Sequence, residues 1–200
     1  MTVALRTALA AVADTLDAQR DELTRLDSLQ GDGDLGRTAG IIAAAIRQTS
    51  GEEAGAEAPA LLLRLGSKIA STAPSSSGTL IASAFIGAAK AIKEPTDAPF
   101  EVALRAGIQA VQQRGKAKPG DRTMLDAAVP VLARLEESPA DFDGAALAAE
   151  AGFEATRTME ARVGRARFLA GNAVGEPDPG AVMVGTALAA ALRAVANGTG

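Results

Sequence analysis

The chain contains no cysteine and no histidine, and these two absences remove more chemistry than any other feature of it. They rule out a disulfide, a thiolate nucleophile, a phosphohistidine, a Ser-His-Asp triad and a His-ligated zinc, so any metal must be held by oxygen. Tryptophan and tyrosine are also missing, aromatic residues make up 2%, and 20 Lys plus Arg stand against 24 Asp plus Glu. A nucleic-acid binder needs a basic face and stacking rings, and this chain offers neither. No Walker A sequence and no kinase His-Arg-Asp triplet occurs, which excludes an ordinary P-loop NTPase or protein kinase. The first residues lack the charged-then-apolar pattern of a signal peptide, because Asp14 and Asp17 interrupt them. No apolar run is read as approaching the roughly 18 residues of a membrane span. The expectation is a cytoplasmic protein with no membrane contact, in keeping with the lack of cysteine.

What is present is a chain of 200 residues, 48% hydrophobic, with a net charge of −4. That reads as a single domain over residues 1–200. It is rich in alanine, and its β-branched residues form no alternating run, so the fold class is all-α. Leu5, Leu9, Val12, Leu16, Leu23 and Leu26 recur at helical spacing with Asp and Arg between them, predicting one long helix that ends near Asp27. Further helices are expected at 36–49, 59–72, 77–93, 97–114, 121–137, 142–162 and 178–197, eight in all. Asp178 before Pro179 is a cap followed by a first-turn proline. Pro130 falls inside a good helical pattern and predicts a kink. The loop at 50–58 is expected to be the most mobile stretch. Short connections make neighbours antiparallel, giving an up-and-down bundle.

In such a bundle alternate loops lie at one end, and four polar segments fall on alternate loops. They are DSLQGDGDLGRT (Asp27 to Thr38), PSSSGT (Pro74 to Thr79), RGKAKPGDRTMLD (Arg114 to Asp126) and GRARFLAGNAVGEPDPG (Gly164 to Gly180). The first places Asp27, Asp32 and Asp34 within a few residues, with no cation among them. Solvated turn carboxylates are one reading; a hard divalent cation such as Mg²⁺, which completes its shell with phosphate oxygens, is the other. The same segment matches Gly-x-Gly-x-x-Gly at Gly31, Gly33 and Gly36, but no strand precedes it and its aspartates would face a pyrophosphate, so a dinucleotide fold is rejected. Ser75, Ser76, Ser77 and Gly78 open a helix, either as a simple cap or as a phosphate cradle. In the third segment Lys116, Lys118 and Arg122 are cations suited to phosphates, Asp121 is an expected N-cap, and Met124 suits either an adenine ring or the core. In the fourth, Arg165 and Arg167 offer planar forks for phosphate. Together they describe a metal-nucleotide site. Phosphoryl transfer, which depends on positioning and charge neutralisation, needs no histidine.

These motifs, in this order, resemble the nucleotide-binding L subunit of bacterial dihydroxyacetone kinase. The carrying residues are Leu26 to Gly36, Ser75 to Leu80, Arg114 to Asp126 and Gly164 to Ala181. The resemblance implies eight antiparallel helices in a barrel-like bundle, with ADP or ATP and two Mg²⁺ ions at one end. It implies Asp27, Asp32 and Asp34 as Mg²⁺ ligands. Leu35, Gly36, Arg37, Thr38, Ser76 and Ser77 would contact phosphates, Gly115 and Met124 the nucleoside, and Asp178, Pro179 and Gly180 the adenosine. Arg165 would act catalytically in the phosphate region. The implied partner is a K-type subunit that holds the ketone covalently through a histidine, a residue this chain lacks. A phosphocarrier of the sugar phosphotransferase system is the implied source of phosphate for a held ADP, with ATP exchange as the alternative, and a homodimer is left open. Another ketose substrate, or a non-catalytic nucleotide-binding regulatory role, are the other readings. Leu35 stands where the family usually has histidine and Thr38 where it has asparagine, while Pro74 and Ser75 replace a glycine pair.

Overall fold

The computed structural model describes residues 2–92, 98–168 and 175–198. Among them there is no strand, and nine α-helices follow in order. They are α1 (Thr2–Ala18), α2 (Arg20–Gln30), α3 (Leu35–Glu52), α4 (Ala58–Thr72), α5 (Ser76–Ala91), α6 (Pro99–Gly115), α7 (Leu125–Glu137), α8 (Phe142–Ala155) and α9 (Pro179–Gly198). Each packs on the next along the chain, and α9 returns to pack along α1, so the bundle closes into a barrel whose first stave is α1 and α2 together. The all-α barrel expected from the sequence is therefore the fold found. Residues 93 and 97, at the ends of two expected helices, lie outside the described residues.

Helix α3 runs to Glu52, three residues past its expected end, and three further boundaries differ for reasons outside local sequence. The first stave is interrupted at Gln19, although the amides of Gln19 and Leu23 still bond to Thr15 and Gln19 carbonyls. The Gln19 side chain accepts a hydrogen bond from Thr186 of α9 at 2.8 Å. Helix α7 starts at Leu125 rather than 121, because Arg122 has φ of 60°, outside right-handed helix. Helix α8 ends at Ala155 rather than 162. Thr156, fully buried, turns its hydroxyl to the Phe153 carbonyl and accepts the Asp178 amide, and a 3₁₀ turn (Thr156–Thr158) follows.

Leu9, Leu16, Leu23 and Leu26 are buried as the stripe required, against Ile42, Ile46, Leu61, Leu65 and Ile69. Small residues let neighbouring helices approach. Pro130 lies inside a continuous α7 and withholds the amide that would bond the Asp126 carbonyl. That carbonyl faces Gly152 of α8, where an added Cβ would lie 2.4 Å from its oxygen. The barrel interior retains an apolar cavity of about 530 Å³, lined by residues such as Leu16, Ile42, Phe85 and Met183. The end of α3 and the loop after it are tied down by Arg6, whose guanidinium donates to the carbonyls of Ser50, Glu53 and Ala56. Helix α9 corrects one expectation: with Arg193 as its sole charge, it is by length and composition apolar enough to span a membrane. Its buried residues, among them Val182, Met183, Ala189 and Leu192, pack inside the barrel.

Candidate functional site

The alternation of helices brings the α2–α3, α4–α5, α6–α7 and α8–α9 connections to one end, and a cavity of about 820 Å³ opens among them. Leu35, Ser76, Ser77, Gly115, Met124, Arg165, Asp178, Pro179 and Gly180, all expected from the sequence, line it together with Asp27. Residues 169–174 of the fourth segment lie outside the described residues.

Asp27 sits in the last turn of α2, where its carbonyl accepts the Gly31 amide at 2.6 Å and its Oδ2 accepts the Leu35 amide at 3.1 Å. The chain thus folds back over its own carboxylate, and carboxylate oxygens of Asp27, Asp32 and Asp34 come within 4.8 Å of one another. Burial pushes the Asp27 carboxyl above its usual range; the Leu35 amide opposes this, while the charges of Asp32 and Asp34 add to it. Arg165 forms an ion pair with Asp32. An all-oxygen donor set with this much negative charge fits a hard divalent cation of the Mg²⁺ kind.

Anion chemistry lies beside it. Helices α3, α5, α7 and α9 all begin at this end, so four positive dipole ends converge there. Ser75 caps α5, its Oγ accepting the Gly78 amide at 3.0 Å. Asp178 caps α9, its Oδ2 accepting the Ala181 amide at 2.7 Å while its own amide donates to Thr156 Oγ1 at 2.8 Å. Burial pushes the Asp178 carboxyl up to about 7, against the opposing Ala181 amide and Arg122 and with the help of Asp126.

The α6–α7 loop is organised by two buried carboxylates. Asp126 accepts the amides of Gly120 at 2.5 Å and Thr123 at 2.7 Å, and Asp121 accepts that of Lys118 at 2.9 Å. Asp121, expected to cap α7, closes the loop instead. Of the three expected cations only Arg122 reaches the cavity wall, and it donates to the Glu176 carbonyl at 2.8 Å.

Comparison with known proteins then settles the family, since residues 29–193 match the DAK2 domain. The chain belongs to that family. It is 33% identical over 181 residues to the ADP-binding subunit of the PEP-dependent dihydroxyacetone kinase of Escherichia coli, covering 86% of each chain. It is 39% identical over 193 residues to human triokinase/FMN cyclase, covering 92% of this chain and 33% of that one. The chain spans about a third of the length of the first relatives it matches. The crystal structure of the dihydroxyacetone kinase of C. freundii in complex with AMP-PNP and Mg²⁺ superposes with a TM-score of 0.81 at 28% identity, over 99% of this chain and 34% of that one. The fold and a kinase ancestry are thereby shown.

Within this DAK2 domain, three expected phosphate contacts are not on the cavity wall. Gly36 is packed on α2, where a Cβ would meet the Arg20 carbonyl and Thr24 Oγ1 at 2.1 Å. Arg37 is exposed, and Thr38 is buried with its hydroxyl directed to Ser75. Leu35 donates its backbone amide to Asp27, while its side chain joins the core. Gln30 and Arg114 also line the wall, within segments that the sequence marks as polar but with no role assigned there to either. Gln30 lies one helical turn beyond Asp27, hence on the same face, a spacing that identifies it in retrospect. Its Nε2 donates to the Pro177 carbonyl at 2.9 Å.

Proposed function

We propose that this chain is the nucleotide-binding, phosphoryl-donating part of a kinase for dihydroxyacetone or a closely related small ketose. The observation that carries the reading is the cluster of Asp27, Asp32 and Asp34 carboxylates, with Asp27 on the wall of a cavity onto which the N-termini of α3, α5, α7 and α9 open. Asp27, Asp32 and Asp34 would hold Mg²⁺, two ions in the fullest form of the reading. When bound, the metal supplies charge neutralisation on the phosphates. Ser76 and Ser77 hold phosphate oxygens from the start of α5, and Gly115 and Met124 face the nucleoside. Asp178, Pro179 and Gly180 shape the adenosine side of the cavity. Arg165 neutralises charge on the phosphoryl group in transit, a role that its ion pair with Asp32 supports.

The ketose is held on a K-type partner, and this chain acts as the donor half in the cytoplasm. ADP as a held group, recharged by a phosphocarrier of the sugar phosphotransferase system, is the regime favoured by the likeness to the E. coli ADP-binding subunit over 86% of both chains. A relative named as an L-erythrulose kinase, at 33% identity, keeps the ketose itself open to test.

Native mass spectrometry of the purified protein, followed by denaturation to release small molecules, tests the reading. Retained ADP with two Mg²⁺ supports the held-nucleotide regime, and reversible uptake of Mg·ATP supports an exchanging kinase. Failure to bind either nucleotide with Mg²⁺ refutes the proposal. Product formed from ATP and dihydroxyacetone by this chain alone, with no K-type partner, refutes the division of labour.

A further inference from the structure

A serine hydroxyl has one proton to donate and two lone pairs to accept with. At Ser75 both lone pairs are engaged. The Gly78 amide donates to Oγ at 3.0 Å, and the Thr38 hydroxyl donates to it at 3.1 Å. Ser75 Oγ is left able only to donate. The residue is half-buried on the cavity wall next to Ser76 and Ser77, at the N-terminus of a 16-residue helix. A hydroxyl held in this way discriminates sharply. It meets an acceptor such as a phosphate oxygen with its one remaining bond, and it has nothing to offer a ligand O–H or N–H.

From this geometry we propose that Ser75 is a further phosphate-binding residue of the nucleotide site, and that Thr38 is the positioning residue that makes it an obligate donor. The proposal rests on the nucleotide reading above. Thr38 is 4% exposed and is absent from the cavity wall, so it acts through Ser75 and not on the ligand. The Thr38–Ser75 bond also spans two elements, tying the first turns of α3 and α5 together. The α3 turn carries the amide that holds Asp27. The same contact therefore fixes the phosphate cradle relative to the metal ligands.

Capping alone would explain the Gly78 bond, and the test must separate the two roles. Ser75→Gly removes the hydroxyl at a cap position where glycine costs only a few tenths of a kcal/mol. Ser75→Thr keeps both the acceptor and the donor. Affinity for Mg·ADP is measured by calorimetry alongside the melting temperature. Loss of a hydrogen bond to a charged oxygen predicts roughly tenfold weaker binding for Ser75→Gly, with a melting temperature lower by a few degrees because the buried Thr38 hydroxyl loses its partner. Ser75→Thr should bind within about twofold of the wild type. Thr38→Val should weaken binding by a smaller factor, and that loss should vanish when the Ser75→Gly change is already present.

Wild-type affinity in Ser75→Gly overturns the proposal. So does an equal loss in Ser75→Gly and Ser75→Thr, which would trace the effect to loop shape. Additive losses for Thr38→Val and Ser75→Gly overturn the positioning role. A wild-type protein that binds no Mg·ADP brings down the nucleotide reading and this proposal together, whereas tight wild-type binding with an indifferent Ser75 brings down only the latter.

Discussion

Asp178→Asn tests whether the start of α9 is electrostatically strained in the free protein. The Asp178 carboxyl is buried, and that burial raises it from 3.8 to about 7. An acid whose folded value lies above its unfolded one costs nothing below pH 4, where both states are protonated. The cost grows as the pH rises and is complete above pH 7. A rise of about three units at about 1.36 kcal/mol each gives a penalty on the order of 4 kcal/mol at pH 8. Asparagine retains an oxygen acceptor for the Ala181 amide but cannot ionise. Urea denaturation of both proteins without nucleotide, from pH 4.5 to 8.5, should show similar stability at the acid end. Above pH 7 the variant should be the more stable by up to about 4 kcal/mol. If Asp178→Asn is less stable than the wild type at pH 8, or the difference does not change with pH, the burial argument is refuted.

Asp32→Ala and Asp34→Ala should each abolish Mg·nucleotide binding at an essentially unchanged melting temperature, because the Asp32–Arg165 pair is exposed and such pairs contribute under about 1 kcal/mol; calorimetry and thermal melting check both halves. Chelation of divalent metal by EDTA should weaken ADP binding to the wild type by an order of magnitude or more, and unchanged affinity in EDTA would remove the metal assignment. Gly152→Ala puts a methyl 2.4 Å from the Asp126 carbonyl oxygen, forcing α7 and α8 apart at a cost of about 2 kcal/mol. A melting temperature within 1 °C of the wild type, on a scale of roughly 2–4 °C per kcal/mol, would contradict that packing.

Helical periodicity was legible because it depends on one element meeting one core. The Leu9, Leu16, Leu23 and Leu26 stripe needs no knowledge of which helix it faces to be read as buried. The alternation argument was legible for the same reason, since short loops in a bundle must alternate ends, and it brought the four polar segments together without any contact being known. What stayed hidden depends on partners distant in sequence. Gln19 looks like any helical surface residue until Thr186 is found beside it. Thr156 looks like the middle of a helix until the Asp178 amide claims its hydroxyl. Asp126 reads as an acid within the helix expected at 121–137, and nothing local shows that its carboxylate will turn back to hold Gly120 and Thr123.

The site residues divide along the same line. The three aspartates were readable as a cluster because they are neighbours in sequence with no cation among them. Thr38 reads as a phosphate contact because its neighbourhood in sequence is the acidic loop, whereas its hydroxyl in the fold is directed to Ser75. The arrangement that results is electrostatically two-sided. The α3, α5, α7 and α9 N-termini favour an anion, while Asp27, Asp32 and Asp34 favour a cation. Either ligand alone satisfies half the site and is repelled by the other half. A metal-phosphate complex satisfies both at once, so the electrostatics favour such a complex over either component alone.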